Sequence, residues 1–199
     1  MDLVLIDKNN YKEAIKIQNS IFPKENGALN ILASLDRNLF IKSTKLNYAD
    51  DHVKYYLVKE GNRYVGITGI YYYDFDLDSA WLGWFGILQE YRDNGLGKEL
   101  LNRTIDLAIS NNFKYMRLYT DYIDNSNAIK LYIKEGFIGE KYTAEKLLYD
   151  CRIYSKSLTD EEVPLWNNRH LNLSNQSKLD QMDAESIKNI IKLYDKLIK

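Results

Sequence analysis

Hydrophobic residues recur along this chain with two spacings, and each spacing predicts a different kind of element. Short apolar runs predict strands at 3–6, 53–59, 64–73, 80–88, 115–120, 137–142 and 146–154. Apolar residues three and four positions apart predict helices at 11–22, 28–38, 96–109, 127–134 and from 183 onward. The elements follow one another without a Pro- or Gly-rich linker, so the pattern predicts one domain that mixes helices with a sheet.

The segment 92–98, RDNGLGK, is the strongest chemical signal in the chain. It lies between the apolar strand 80–88 and an amphipathic helix, so the N–H groups of the turn are predicted to face one spot at the positive end of that helix. Such a site suits phosphate, and Gly95 and Gly97 allow a ligand to approach the backbone closely. A Walker loop is excluded because position 92 is not glycine and Glu99 follows the lysine. A dinucleotide-binding loop is excluded because position 100 is leucine.

A second motif follows the next predicted strand. Residues 125–137 read NSNAIKLYIKEGF, with an Asn, an Ala three residues on, a Leu-Tyr pair and a Gly-Phe pair. Together with the Arg-x-x-Gly-x-Gly segment, these residues resemble the GNAT family of N-acetyltransferases over about residues 50–155. The resemblance implies an α+β (α/β three-layer) fold, in which helices flank a mixed, mostly antiparallel central sheet of six to seven strands.

The resemblance also implies the reaction. It indicates an N-acetyltransferase that moves an acetyl group from acetyl-CoA to a primary amine of a small molecule, amino acid or peptide by direct attack. Tyr132 matches the family's general acid, which protonates the leaving thiolate. The N–H near Ile87 or Leu88 is expected to polarise the thioester carbonyl. The residues implied in binding acetyl-CoA are Phe85, Ile87, Leu88, Arg92, Asp93, Asn94, Gly95, Leu96, Gly97, Lys98, Asn125, Lys130 and Tyr132.

The acceptor site and the general base are less defined. The loop after the first helix lines the acceptor site in this family, which makes Glu25 and Asn26 candidates, and Trp81 and Trp84 are candidates for shaping the pocket. Trp81 stands where histone-type members carry a glutamate base. The base is therefore left open among a water chain and four carboxylates, those of Glu25, Asp74, Asp76 and Asp78. Because that glutamate is missing, a non-catalytic acyl-CoA-binding sensor or regulatory module is the alternative function.

The acetyltransferase-like domain is predicted over residues 1–156, and residues 157–199 are predicted to form a C-terminal extension. The extension ends in an amphipathic helix with a continuous apolar side. That side must be buried. Three possibilities are open: packing on its own domain, contact with a second copy in a homodimer, or a lid over the acceptor site.

Composition narrows the class of partner. With 27 Lys and Arg against 28 Asp and Glu, the formal net charge is -1, which argues against nucleic-acid binding. No apolar run reaches the length of a membrane span, and the N-terminus lacks the features of a signal peptide. The single cysteine, Cys151, has no partner for an internal disulfide. We therefore expect a cytoplasmic protein, and the sequence shows no metal-binding motif.

Overall fold

The computed structural model describes residues 1–25, 27–44, 52–121, 126–142, 151–166 and 182–197. Its strands are β1 (Asp2–Leu5), β2 (His52–Glu60), β3 (Arg63–Tyr73), β4 (Asp76–Ile87), β5 (Tyr115–Asp121), β6 (Ile138–Tyr142) and β7 (Cys151–Ser157). Its helices are α1 (Tyr11–Ile21), α2 (Gly27–Leu35), α3 (Arg37–Thr44), α4 (Leu96–Ser110), α5 (Ser126–Lys134) and α6 (Ala184–Leu197). A short 3₁₀ turn, Gln89–Tyr91, joins β4 to the loop before α4.

The strands form one seven-stranded sheet in the order β1-β2-β3-β4-β5-β7-β6. Only the β4–β5 pair is parallel, and every other neighbouring pair is antiparallel. This arrangement confirms the predicted mixed, mostly antiparallel sheet.

Helices cover both faces of the sheet, so that its two faces belong to different hydrophobic clusters. Alternate residues of a strand serve opposite faces, as the pleat requires. Tyr71 and Trp81 belong to the core under α1, α2, α3 and α6, whereas Ile70 and Leu82 belong to the core under α4 and α5. Burial on both sides explains why β3 and β4 are apolar along most of their length, and it confirms the three-layer fold.

The predicted helix at 28–38 is in fact two helices, α2 and α3. Asp36 lies between them, and its Oδ1 accepts a hydrogen bond from the Leu39 N–H at 2.8 Å. An aspartate in this position caps a new helix rather than continuing the old one. The spacing of hydrophobic residues did not reveal this break, because apolar residues continue on both sides of Asp36. Part of the strand predicted at 146–154 lies outside the described residues, and the rest forms β7.

The C-terminal helix α6 packs on α1 of the same chain. Tyr194 is fully buried, with its ring centroid 6.5 Å from that of Tyr11. The Tyr11 hydroxyl donates to Asp195, and Lys12 Nζ lies 2.9 Å from the Asp195 carboxylate. The apolar side of α6 therefore faces its own chain. None of the helices in the described residues is long and apolar enough to cross a membrane.

Candidate active site

The sheet opens into a cleft between β4 and β5. These strands pair only over Ser79–Trp81 and Tyr115–Arg117, after which they diverge while both continue. A β-bulge in β4 accompanies the divergence: Ile67 opposes Gly86 and Gly69 opposes Gly83, so two residues of β4 stand opposite one residue of β3. Bulges bend and twist a strand. The cleft is bounded by residues 82–87 of β4 and 118–121 of β5.

One backbone N–H of β4 faces this cleft at its open end. The Leu88 N–H donates to Val65 O on β3 at 2.8 Å, so Leu88 is in a hydrogen-bonded pair with β3. In an antiparallel ladder the adjacent residue points its N–H and C=O the other way. Ile87 therefore presents both groups to the cleft, and its carbonyl accepts a hydrogen bond from Arg92 Nε at 2.9 Å. Of the two donors considered from the sequence, Ile87 is the one that faces the cleft.

The loop that follows leads into an uncapped helix. Asp93 and Gly95 have positive φ values of 65° and 77°, and α4 begins directly after them. The N-cap residue Gly95 offers no side chain, and the first-turn N–H groups of Leu96 and Gly97 have no partner within the described ranges. Unpaired N–H groups and the helix dipole make this end of α4 attractive to anions.

Gly97 shows that the space over this turn is open. A Cβ built there would meet nothing closer than Leu131 Cδ2, at 3.9 Å. The packing of the chain therefore does not require a glycine at this position, whereas close approach of a ligand to the helix end does. Gly95 has a different reason to be glycine, because its positive φ strains any residue with a Cβ.

The two cations of the loop are bound to groups of the chain itself. Arg92 bonds to the Ile87 carbonyl, as described above, and Lys98 Nζ lies 2.9 Å from Glu135 Oε1 at the end of α5. Asp93 and Asn94 are exposed beside them, and Lys130 and Lys134 are exposed on α5. Asn125 lies outside the described residues.

Tyr132 lies on α5 beneath the cleft. Its side chain is 5% exposed, and its ring packs on Phe85, Phe137 and Tyr154 at centroid distances of 6.0, 5.8 and 6.1 Å. Burial raises the pKa of the Tyr132 hydroxyl well above its ordinary value. The hydroxyl therefore stays protonated at neutral pH, and it has no hydrogen-bond partner among the described parts of the chain.

The opposite wall of the cleft comes from the end of α1. A Cβ at Gly86 would lie 2.6 Å from Ile21 Cγ2, so α1 packs directly against β4 one residue before Ile87. The Trp84 ring lies 5.1 Å from that of Phe22. Glu25 is exposed in the turn that follows, and Asn26 lies outside the described residues.

The sequence profile of the acetyltransferase (GNAT) family matches residues 16–137, which include both motifs and the cleft between them. The chain belongs to this family. No curated protein matches the sequence.

Solved GNAT structures share the fold at low sequence identity. Spermidine N-acetyltransferase from Vibrio cholerae, in complex with CoA and spermine, is 16% identical, with a TM-score of 0.56 over 79% of this chain and 95% of that one. The ribosomal-protein-S18-alanine N-acetyltransferase from Escherichia coli is 16% identical, with a TM-score of 0.55 over 83% and 98%. A GNAT acetyltransferase from Staphylococcus aureus is 23% identical, with a TM-score of 0.56 over 79% and 99%.

In this GNAT domain two residues considered from the sequence, Trp81 for the acceptor pocket and Asp74 as a base, lie outside the open part of the cleft. Trp81 is fully buried, with its ring against those of Tyr71, Tyr73 and Trp166. Asp74 lies 2.9 Å from His52 Nε2, beyond the opposite end of β4 from Ile87. At about 3.3 Å per residue the ends of this strand are roughly 35 Å apart. Trp81 is therefore packed in the core, and Asp74 lies at the far end of β4; the roles considered for them in the acceptor pocket and as a base stay predictions.

Two further carboxylates proposed as bases are also held elsewhere. Asp76 lies 3.7 Å from Arg117 Nε in the core, and Asp78 lies 3.7 Å from Lys114 Nζ. The three aspartates therefore form no acidic rim at the cleft, which leaves Glu25 and water from the original set of bases.

Arg117 is the residue of this GNAT site that sequence reasoning missed. It is fully buried on β5 in the last pair before the strands diverge. Its guanidinium donates to Ser79 Oγ at 3.0 Å, Ser155 Oγ at 2.7 Å and Pro164 O at 2.8 Å. Arg117 thus joins β4, β5, β7 and the segment after β7 at the point where the cleft begins. The one feature of the sequence that could have indicated this buried residue is a single arginine inside the mostly apolar segment MRLYT.

Proposed function

We propose that this chain transfers an acetyl group from acetyl-CoA to a primary amine of a small molecule, amino acid or peptide. The observation that carries the proposal is the convergence of two backbone features on one cleft. The uncapped N-terminus of α4 offers a site for an anion, and the N–H of Ile87 enters the same cleft. The open space over Gly97 fits a ligand that lies against the helix end.

Binding of the donor relies mainly on backbone groups. The first-turn N–H groups of α4 bind the diphosphate of acetyl-CoA, aided by the helix dipole. The free edge of β4, from Phe85 to Ile87, binds the extended pantetheine arm as an added strand would be bound. Lys130 on α5 adds positive charge near this edge. The thioester then lies next to Ile87.

The chemistry needs one donor on each side of the thioester. The Ile87 N–H hydrogen-bonds to the carbonyl oxygen, which becomes more negative as the amine attacks. The C–N bond forms, the C–S bond breaks, and the Tyr132 hydroxyl donates to the departing sulfur. A thiol has a pKa of about 8.5, below that of this buried phenol, so Tyr132 acts first as a hydrogen-bond donor. The amine loses its proton to Glu25 or to water.

The acceptor binds between Trp84, Phe22 and the turn at Glu25. Trp84 and Phe22 form an aromatic wall, and an aromatic face attracts an ammonium group. The similar structures carry names that specify spermidine in one case and an alanine of ribosomal protein S18 in another. Their shared chemistry is a primary amine, and this is the level at which we propose the acceptor. We also propose a cytoplasmic location.

The first experiment is calorimetric titration with acetyl-CoA of the wild type and the Gly97→Glu variant. We expect micromolar binding by the wild type and a loss of at least about 100-fold in the variant, because a carboxylate would fill the anion site. Asn102→Glu adds the same charge at an exposed position farther along α4 and is the matched control. Thiol release is then followed with spermidine, amino acids and a short peptide. No binding by a folded wild type would refute the proposal.

A non-catalytic acyl-CoA sensor is the second candidate. It is favoured by one observation: residues 82–87 of β4, LGWFGI, place no carboxylate along the cleft, and Trp81 replaces the expected glutamate. In a sensor, Tyr132→Phe would change neither affinity nor thiol release, whereas in an enzyme it lowers thiol release alone.

A further inference from the structure

Glu135 occupies the junction between the helix of the anion site and the helix of Tyr132. Its carboxylate lies 2.9 Å from Lys98 Nζ on α4, and its backbone carbonyl accepts a hydrogen bond from Lys156 Nζ on β7 at 2.7 Å. The Glu135 side chain is only 15% exposed, so this ion pair is partly shielded from water. We call Lys98, Glu135 and Lys156 the Glu135 clamp.

The clamp acts on the C-terminal cap of α5, which contains Tyr132. Gly136 has a φ of 84°, its N–H donates to Ile133 O at 3.0 Å, and the Phe137 N–H donates to Tyr132 O at 3.0 Å. This is a Schellman motif, in which Glu135 is the C-cap residue and Tyr132 stands three positions before it. The accompanying hydrophobic contact joins Phe137 to Tyr132 itself, with ring centroids 5.8 Å apart.

We infer that Glu135 is a positioning residue, which fixes Tyr132 relative to the anion-binding end of α4. The inference rests on the proposed function. Lys98 holds the carboxylate of the C-cap residue, Lys156 holds its carbonyl, and the cap holds the backbone and ring of Tyr132. Lys98 therefore acts through Glu135 rather than as a ligand of the diphosphate.

The contacts near the C-terminal cap of α5 support a positioning role for Glu135 rather than an ordinary surface ion pair with Lys98. A Cβ at Gly136 would lie 3.2 Å from Lys156 Nζ, so Lys156 packs closely over the cap. Leu131, the residue next to Tyr132, is the side chain nearest to Gly97 in the anion-binding turn. The ends of α4 and α5 are thus in contact at two points, one apolar and one ionic, on either side of Tyr132.

Kinetics of four variants test the clamp: Glu135→Gln, Lys98→Met, their combination, and Glu135→Gln in a Tyr132→Phe background. We expect each single change to lower kcat by about three- to tenfold, because the ion pair is partly shielded and its loss displaces Tyr132 without removing it. The affinity for acetyl-CoA should change by less than about twofold. The double variant should lose no more kcat than either single variant, because both substitutions break the same Lys98–Glu135 ion pair. In the Tyr132→Phe background, Glu135→Gln should have no further effect on kcat.

Two results would overturn the inference. If Lys98 binds the diphosphate instead, Lys98→Met will weaken acetyl-CoA binding about tenfold and Glu135→Gln will strengthen it. An equal loss of kcat with and without Tyr132 means that Glu135 acts elsewhere. Arg103→Met is the control variant, because it breaks a surface pair with Glu99 within α4 and does not involve α5.

The proposed function fails if the protein binds acetyl-CoA but transfers no acetyl group. A second measurement tests the Glu135 clamp even in that case. Tyrosine labelled at ¹³Cζ reports the surroundings of each phenol by NMR, and Tyr132→Phe assigns the resonance. We expect Glu135→Gln and Lys98→Met to shift and broaden the Tyr132 ¹³Cζ resonance at neutral pH, as the packing of its ring loosens. An unchanged Tyr132 resonance in both variants would overturn the clamp independently of activity.

Discussion

The two walls of the cleft are built in different ways. The wall formed by α4, α5 and the edge of β4 presents backbone groups: the N–H of Ile87 and the first turn of α4. The wall formed by α1 and Trp84 presents side chains from distant parts of the sequence. The first wall depends on local geometry, and the second depends on how α1 packs against β4. A backbone site suits a donor that is the same in every reaction, and a side-chain site suits an acceptor that differs between proteins.

Arg117 joins β4 to β5 and β7 where the cleft begins, so its loss is expected to have the largest effect. We expect Arg117→Met to lower the free energy of unfolding by about 3–5 kcal/mol, because it leaves the Asp76 carboxylate buried beside an apolar side chain. Urea unfolding followed by tryptophan fluorescence measures this loss. Arg103→Met, on the surface of α4, should change stability by less than about 0.5 kcal/mol. Losses of similar size in the two variants would show that Arg117 does not stabilise the joint between β4, β5 and β7.

Tyr132 tests the backbone wall. We expect Tyr132→Phe to lower kcat by about 10²-fold, since it removes the hydrogen bond to the leaving sulfur and nothing else. Calorimetry should show an unchanged affinity for acetyl-CoA, because the diphosphate and pantetheine sites are backbone groups. A parallel loss of affinity would assign Tyr132 to binding rather than to chemistry.

The backbone wall is also the part that the sequence predicted best. A glycine-rich turn between a strand and a helix is a local pattern, and the loop 92–98 and the start of α4 follow from it directly. The choice between Ile87 and Leu88 did not follow, because the direction of an N–H depends on strand register. The seven strands and the helices before and after β5 were predictable for the same reason as the loop, because the spacing of hydrophobic residues within each element is a local property of the sequence.

The side-chain wall was harder to predict because a bulge changes which residues share a face. Strict alternation places Trp81 and Trp84 on opposite faces of β4, yet both side chains pack on the α1 side. The bulge opposite Thr68 supplies the extra residue that makes this possible. The position of Asp74 relative to the cleft was also hard to predict, because the sequence does not show which end of β4 borders the cleft.

Trp84 tests the side-chain wall. We expect Trp84→Ala to raise the KM for the amine about tenfold, equivalent to about 1.4 kcal/mol, by removing the aromatic surface that faces the acceptor. The affinity for acetyl-CoA should change much less, and Trp84→Phe should recover most of the effect. Steady-state kinetics with the amine varied, alongside calorimetry with acetyl-CoA, measures both. Equal changes in the two constants would mean that the walls are not separate sites.

The last expected effect is confined to alkaline pH and concerns the helix α6, which packs behind the side-chain wall. The Tyr194 hydroxyl is buried, and burial raises its pKa from about 10 to about 12. A raised folded-state pKa adds stability below pH 10 that is lost as the pH rises through 12. We expect Tyr194→Phe to lose less stability than the wild type between pH 10 and 12. Thermal unfolding across this range measures the difference, and identical pH profiles would contradict it.

The divergence of β4 from β5 has a consequence for self-association. Beyond Trp81 the edge of β4 that faces β5 is unpaired, and an unpaired strand edge is a template for foreign strands. Here the edge is sheltered by β5 on one side and interrupted by the bulge at Trp84 and Phe85. A polypeptide strand needs a continuous register and room for side chains on both faces, which this edge does not offer. A thin, extended chain without side chains meets neither obstacle, so the geometry that would admit the proposed pantetheine arm disfavours pairing with a foreign strand.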